Sequence, residues 1–253
     1  MANPLDLSGQ TILVTGASSG IGRSTAVLLS ELGARVVLSG RNAERLEQTA
    51  AGITNNGHHI AGFDLSRLEE IPAWLGGLVK EVGPLSAFVH CAGLISMLPV
   101  RYLELKHLHE VMTVNFCAAA LLTKEFSRKQ IRRPKSSIVF VASAAGLVAA
   151  PGRAVYSASK GALIAFARSA AVELAPQGIR VNCVAPGLVQ TEAHEGSGSM
   201  LTAEQIEALV NTTQPLGWGT PLDVAHAIAF LLADTGRWIT GSVLCVDGGY
   251  IAQ

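Results

Sequence analysis

The sequence predicts a single-domain α/β fold: a doubly wound, seven-stranded parallel sheet with helices on both faces. Three observations lead there. Short apolar runs alternate with longer stretches of helical period along all 253 residues, the pattern of strands joined by crossover helices. The strand candidates are nearly continuous in Val, Ile and Leu, as strands covered on both faces must be. No linker, charge block, repeat or low-complexity run divides the chain, so residues 1–253 read as one domain. Right-handed crossovers then wind the sheet in both directions from its centre.

In chain order the strands are expected at 11–15, 35–40, 58–63, 85–91, 136–142, 179–185 and 242–247. Helical period marks roughly 20–32, 42–56, 67–82, 103–130, 153–175 and 221–232, with a shorter helix near 201–210. One stretch breaks the rhythm. "GLVQTEAHEGSGSM" (187–200) is polar, rich in Gly and Ser, and follows the sixth strand. Open α/β sheets bind ligands at that end, so residues 187–211 are read as a substrate-lid region within the domain.

Composition excludes several classes. Lys plus Arg and Asp plus Glu both total 19, a net charge of zero, which offers no electrostatic attraction to nucleic acid or an anionic membrane. Hydrophobic residues make up 49% and charged residues 15%, so a large share of the chain must be buried in a core or between subunits. Cys91, Cys117, Cys183 and Cys245 lie far apart with no C-x-x-C, and read as small core residues in a reducing compartment. The histidines show no metal-ligand spacing, so no metal is expected. The start, "MANPLDLSGQTILVTG", lacks the pattern of an export signal, and no apolar run approaches a membrane span. The expectation is a cytoplasmic protein.

The first strand runs into "TGASSGIGRSTA". Gly16, Gly20 and Gly22 permit a tight turn and close backbone approach, and the helix that follows offers free N–H groups to a pyrophosphate. The spacing G-x-x-x-G-x-G is not the common dinucleotide fingerprint G-x-G-x-x-G, and no Gly-Lys-Ser/Thr of a nucleoside-triphosphate loop follows. An ordinary glycine turn would look similar, but its place after the first strand favours a nucleotide. The second strand ends "VVLSGRN". An acidic residue there would bind the adenosine ribose of NAD; Ser39, Arg41 and Asn42 stand there instead. Arg41 suits a 2′-phosphate, which favours NADP(H) and leaves NAD(H) open. A second basic residue before Gly20 is absent, since Ser19 occupies that place.

"YSASK" puts Tyr156 and Lys160 four residues apart, on one face of a helix. In one reading Lys160 is an amphipathic side chain beside a half-buried phenol. In the other, Lys160 lowers the pKa of Tyr156 so that it exchanges a proton near neutral pH.

"TGASSGIG", "HCAG" (90–93), Asn115, Ser143, "YSASK" and "PG" (186–187) occur in an order and spacing that resembles the short-chain dehydrogenase/reductase family, which has a Rossmann-type fold. The likeness runs from Leu7 to the terminal "VDGGY" and is greatest to the 3-oxoacyl-acyl-carrier-protein reductase branch. The resemblance implies a catalytic tetrad of Asn115, Ser143, Tyr156 and Lys160. Ser143 would hold the substrate carbonyl, Tyr156 would exchange its proton, and Lys160 would stabilise the phenolate and bind the nicotinamide ribose. Asn115 would hold a water in a relay to Lys160. An unperturbed phenol ionises near pH ~10, and matching it to neutral pH takes about 3–4 kcal/mol of differential stabilisation.

The resemblance also implies cofactor contacts at Gly16, Ser18, Ser19, Gly20, Ile21, Gly22, Asp64, Leu65, Ala92, Gly93, Pro186, Gly187, Val189 and Thr191. Asp64 would meet the adenine; its plainer reading is a helix cap. His90 and Cys91 replace two asparagines of the family's pattern, and His90 is read as a core histidine bonded to backbone. Leu94, Met97, Leu147 and Val148 are expected to wall an apolar substrate pocket. The implied activity is NADP(H)-dependent reduction of a ketone, foremost a 3-oxoacyl thioester. The carrier could be acyl carrier protein, with "SRKQIRRPK" (127–135) as a docking candidate, although Gln177 stands where that branch often has a basic residue. Alternatives are oxidation of a secondary alcohol, sugar or steroid, and a non-catalytic dinucleotide sensor. Helices at 103–130 and 153–175 are expected to build a homotetramer.

Overall fold

The computed structural model describes residues 3–53, 58–192 and 202–252. The elements run β1 (Thr11–Thr15), α1 (Gly20–Glu31), β2 (Arg35–Ser39), α2 (Ala43–Ala51), β3 (His58–Ile60), α3 (Ile71–Val82), β4 (Leu85–His90), α4 (Leu105–Met112), α5 (Ala118–Phe126), β5 (Arg132–Val141), α6 (Ala154–Leu174), β6 (Ile179–Pro186), α7 (Ala203–Thr213), α8 (Pro221–Leu232) and β7 (Val243–Val246). The strands form one parallel sheet in the order β3-β2-β1-β4-β5-β6-β7. This is the doubly wound sheet that the alternating pattern predicts.

Strand periodicity divides the core between the two faces. Leu13, Phe88, Ile138, Phe140 and Val181 point toward α3, α5 and α6. Ile12, Val14, Val36, Val139 and Val184 point toward α1 and α8. Most of these side chains are fully buried, each contributing roughly 1.5–3 kcal/mol of transfer free energy. Because β1 lies between β2 and β4, the connections leave it in opposite directions. A crevice opens beyond the strand ends at that switch point.

Three stretches differ from the sequence expectation. The region read as one helix over 103–130 is α4, a π-helical segment at Thr113–Cys117, and α5. A π segment inserts an extra residue into a turn, which a continuous apolar pattern conceals. β5 begins at Arg132 rather than Ser136, because Arg132 pairs with Leu85 before a register shift. Pro134 and Lys135, whose φ is 57°, occupy that irregularity, where a proline and a kink are tolerated. β3 is only three residues long; residues 54–56, the end of the helix expected over 42–56, lie outside the described residues.

Candidate active site

The glycine turn is built backbone against backbone. Gly16 has φ 67°, and a Cβ there would lie 2.7 Å from the Ala92 nitrogen. A Cβ on Gly22 would collide with the Gly16 carbonyl, and one on Gly20 would press on Thr191 at 3.2 Å. α1 therefore starts against the ends of β1 and β4, with no side-chain cap and no acid in its first turn. Its free N–H groups and partial positive charge suit a pyrophosphate. Ser39, at the end of β2, is buried and its hydroxyl has no partner among the described residues. These features fit a nicotinamide dinucleotide.

A cleft of about 740 Å³ runs along this edge, within the size of small-molecule sites. It gathers Gly16, Ser18, Ser19, Gly20, Ile21, Gly22, Arg41, Asn42, Asp64, Leu65, Ala92, Gly93, Ser143, Tyr156, Lys160, Pro186, Gly187, Val189 and Thr191. Two expected residues, Ser39 and Asn115, sit behind its wall, both buried. Arg45 and Arg153 also line it, and no motif in the sequence singles out either. Leu94, Ile95 and Val114 form the apolar wall, whereas Met97, Leu147 and Val148 do not line the cleft. The turn at Ala144–Gly146 carries the chain away, leaving Leu147 39% exposed.

At the α2 end of the cleft, Asn42 caps α2 by accepting from the Arg45 N–H at 2.9 Å. Asp64 is a turn acceptor as well as a cleft residue: its carboxylate takes the Ser66 N–H at 2.9 Å. Burial opposes its ionisation, yet Ser66, Arg41 and Arg67 together hold it below the usual carboxylate range. Across the cleft, Glu192 pairs with Arg23 at 2.9 Å and with Arg45 at 3.7 Å.

At the other end, β5 delivers Ser143 and the first turn of α6 delivers Tyr156. Ser143 accepts from the Ala145 N–H at 3.2 Å. Lys160, 4% exposed, donates to the Val141 carbonyl at 2.7 Å. Burial pulls its ammonium down to about 8, with the Cys91 and Cys183 thiols opposing. Its Nζ lies 5.8 Å from the centre of the Tyr156 ring. Burial pushes the Tyr156 phenol up, and the Ser143 hydroxyl and Arg153 guanidinium pull it down. Burial is the largest of these influences, so the phenol stands above its ordinary value, and one Lys160 N–H is engaged by Val141.

Asn115 lies in the π segment. Its Oδ1 accepts from the Leu94 N–H at 2.7 Å, and its Nδ2 donates to the Leu94 carbonyl and to Ser159 Oγ, both at 3.0 Å. Both amide donors are thus committed, one to the Leu94 backbone and the other to Ser159 on α6. His90 Nε2 faces the Val114 carbonyl at 3.3 Å and Nδ1 faces Thr15 Oγ1 at 3.1 Å. Burial first, then the Lys160 charge, hold it down to about 3. It is the backbone-bonded core histidine that the sequence suggested. Burial keeps Cys91 a thiol, pushed up to about 12.

In the segment after β6, Val189 bridges to Gly219. Gln214, 1% exposed, brackets Leu188 by accepting its N–H and donating to its carbonyl. No motif signalled Gln214; its role depends on α7 returning to β6. Residues 193–201 of the expected lid lie outside the described residues.

A family model described as Enoyl-(Acyl carrier protein) reductase matches residues 16–251. The chain belongs to the short-chain dehydrogenase/reductase family. This short-chain dehydrogenase/reductase is 36% identical over 248 residues to a 3-oxoacyl-[acyl-carrier-protein] reductase of Rickettsia prowazekii, covering 98% of this chain and 99% of that one. It is 34% identical over 250 residues to a cyclopentanol dehydrogenase of Comamonas testosteroni, covering 98% and 99%. A solved dehydrogenase/reductase from Sinorhizobium meliloti superposes with a TM-score of 0.89 at 32% identity, over 98% of this chain and 97% of that one. Family and fold make the protein an oxidoreductase that uses a nicotinamide dinucleotide. Among the described residues no helix is long and apolar enough to cross a membrane.

Proposed function

We propose that the protein is an NADP(H)-dependent reductase that converts a ketone, foremost a 3-oxoacyl thioester, to the secondary alcohol through Ser143, Tyr156, Lys160 and Asn115. The observation that carries this reading is the shared cleft. Ser143, Tyr156 and Lys160 meet at its buried end, and Arg41 stands at the other with no acid in the ribose position. The thioester is supported by the likeness to the Rickettsia 3-oxoacyl reductase and by the apolar wall of Leu94, Ile95 and Val114.

The glycine turn and the N-terminus of α1 would hold the pyrophosphate, Arg41 the 2′-phosphate, and Gly93, Lys160 and residues 186–191 the nicotinamide riboside. Bound there, the reduced nicotinamide supplies a hydride for the carbonyl carbon. Ser143 Oγ donates a hydrogen bond to the carbonyl oxygen and fixes its direction. Tyr156, kept protonated by burial, transfers the phenolic proton to that oxygen as it becomes an alkoxide. The Lys160 ammonium stabilises the phenolate left behind. Asn115 holds the backbone at Leu94; a relay water would use the second lone pair of its Oδ1 or its main-chain carbonyl. A protonated phenol suits reduction, whereas the reverse reaction needs the phenolate and gains with rising pH. Leu105 and Leu108 on α4, 66% and 38% exposed, support the homotetramer reading.

A second reading, oxidation of a small secondary alcohol, is favoured by the cyclopentanol dehydrogenase relative. Following loss of reduced nicotinamide with an acetoacetyl thioester separates the two. The expected result is turnover with kcat/KM at least about tenfold higher for NADPH than for NADH. No turnover with either dinucleotide, in protein that binds both, rejects the thioester and moves the search to alcohols.

A further inference from the structure

We propose that Arg45 is a second ligand for the 2′-phosphate of NADP(H), held by the Glu192 carboxylate until the phosphate displaces it. The inference rests on the NADP(H) reading above and names the residue that completes its phosphate site. A phosphate monoester presents three oxygens and nearly two negative charges, more than one guanidinium can match. The sequence offers no second cation in the glycine turn, where Ser19 stands. The structure supplies one from the opposite side.

Arg45 lines the same cleft as Gly40, Arg41 and Asn42. Arg41 and Arg45 flank the N-terminus of α2, and Asn42 orders that turn by bonding the Arg45 N–H. Two guanidinium groups therefore stand beside one helix start, where the backbone also favours an anion. The acid facing Arg41 is Asp64; the acid facing Arg45 is Glu192.

The two arginines that meet Glu192 are held differently. Arg23 is committed: besides Glu192 at 2.9 Å it donates to the Ser18 carbonyl at 2.7 Å and to Thr49 Oγ1 at 3.3 Å. Arg45 reaches Glu192 only at 3.7 Å, with side-chain exposures of 52% and 44%. An exposed pair at that distance holds its partners weakly. A phosphate can take Arg45 while Arg23 keeps the carboxylate, so no charge is stranded. Glu192 follows Thr191, which packs on Gly20, so this exchange ties phosphate recognition to the end of the segment after β6.

The test titrates NADPH and NADH by nicotinamide fluorescence and displaces NADPH with 2′,5′-ADP, using the full chain and its Arg41→Ala, Arg45→Ala, Arg45→Lys and Glu192→Gln variants. Arg45→Ala is expected to weaken NADPH and 2′,5′-ADP about tenfold and to change NADH less than about twofold, with Arg45→Lys in between. Glu192→Gln is expected to tighten 2′,5′-ADP about two- to threefold. If Arg41→Ala weakens NADPH selectively and Arg45→Ala does not, this inference falls and the NADP(H) reading stands. Equal losses of NADPH and NADH in Arg45→Ala overturn it too, since the residue then serves α2. Unchanged or weaker 2′,5′-ADP binding in Glu192→Gln overturns the displacement. If neither arginine variant separates NADPH from NADH, the NADP(H) reading itself is wrong.

Discussion

The two ends of the cleft share one backbone cradle and differ in solvent. At the reaction end Ser143 and Lys160 are nearly inaccessible, and burial moves both Tyr156 and Lys160 away from their ordinary values. At the adenosine end Arg45 and Glu192 are about half exposed, and their charges sit in water. A charge in the dry end acts strongly and costs stability; a charge in the wet end acts weakly and can change partners. On the proposed reading, chemistry falls where the dielectric is low, and the choice between dinucleotides where substitution is cheap.

Removing the acid should have the largest effect. Tyr156→Phe is expected to lower kcat by about 10²–10⁴ while the protein keeps its far-UV circular dichroism. A loss below about tenfold would mean that the buried end does not supply the proton. Lys160→Met should come next and should cut two ways. Turnover falls with the loss of the ammonium, but Tm at neutral pH rises by about 2–6 °C because a costly buried charge is gone. The sign follows from the depressed folded value of about 8 against an ordinary 10.5. The unfolded chain binds more protons between these values, so wild-type stability rises with pH across that window and is lowest below it. The gain in Tm should therefore shrink near pH ~9.5. A lower Tm at pH 7 would show that the Val141 hydrogen bond outweighs desolvation. The smallest effect belongs to the wet end. Asn42→Ala removes the α2 cap and should cost about 1 kcal/mol, or 2–4 °C in Tm, with no dependence on pH from 6 to 9. A larger or pH-dependent loss would show that the adenosine end is coupled to a buried titrating group.

Much of this architecture was legible in the residues. Alternating strand and helix patterns led to the sheet, and glycine spacing led to the turn because backbone contact leaves no other residue type at Gly16 or Gly22. The likeness carried by "TGASSGIG" and "YSASK" led to the cleft. Other features were not legible for identifiable reasons. The π segment Thr113–Cys117 reads TVNFC with Asn115 as its buried residue, and nothing in that composition separates a π turn from an α turn. The direction in which Tyr156 moves depends on burial by the surrounding fold, which a four-residue spacing does not contain. Arg45 looks like any helix-surface arginine until topology sets Glu192 opposite it. Leu147 and Val148 follow Ser143 in sequence, yet a tight turn carries them off the cleft wall.

The strand order also has a consequence during synthesis. Gly16 rests on Ala92, and Gly20 on Thr191, so the cradle needs β1, β4 and the segment after β6 together. Every neighbouring pair of strands is parallel and separated by a crossover, so no local hairpin can stand in for the missing parts. A chain emerging from the ribosome cannot clasp a dinucleotide until residue 191 has cleared the exit tunnel. The cofactor can therefore help to hold the finished fold but cannot guide its first three-quarters, which must stay soluble on the strength of their own packing.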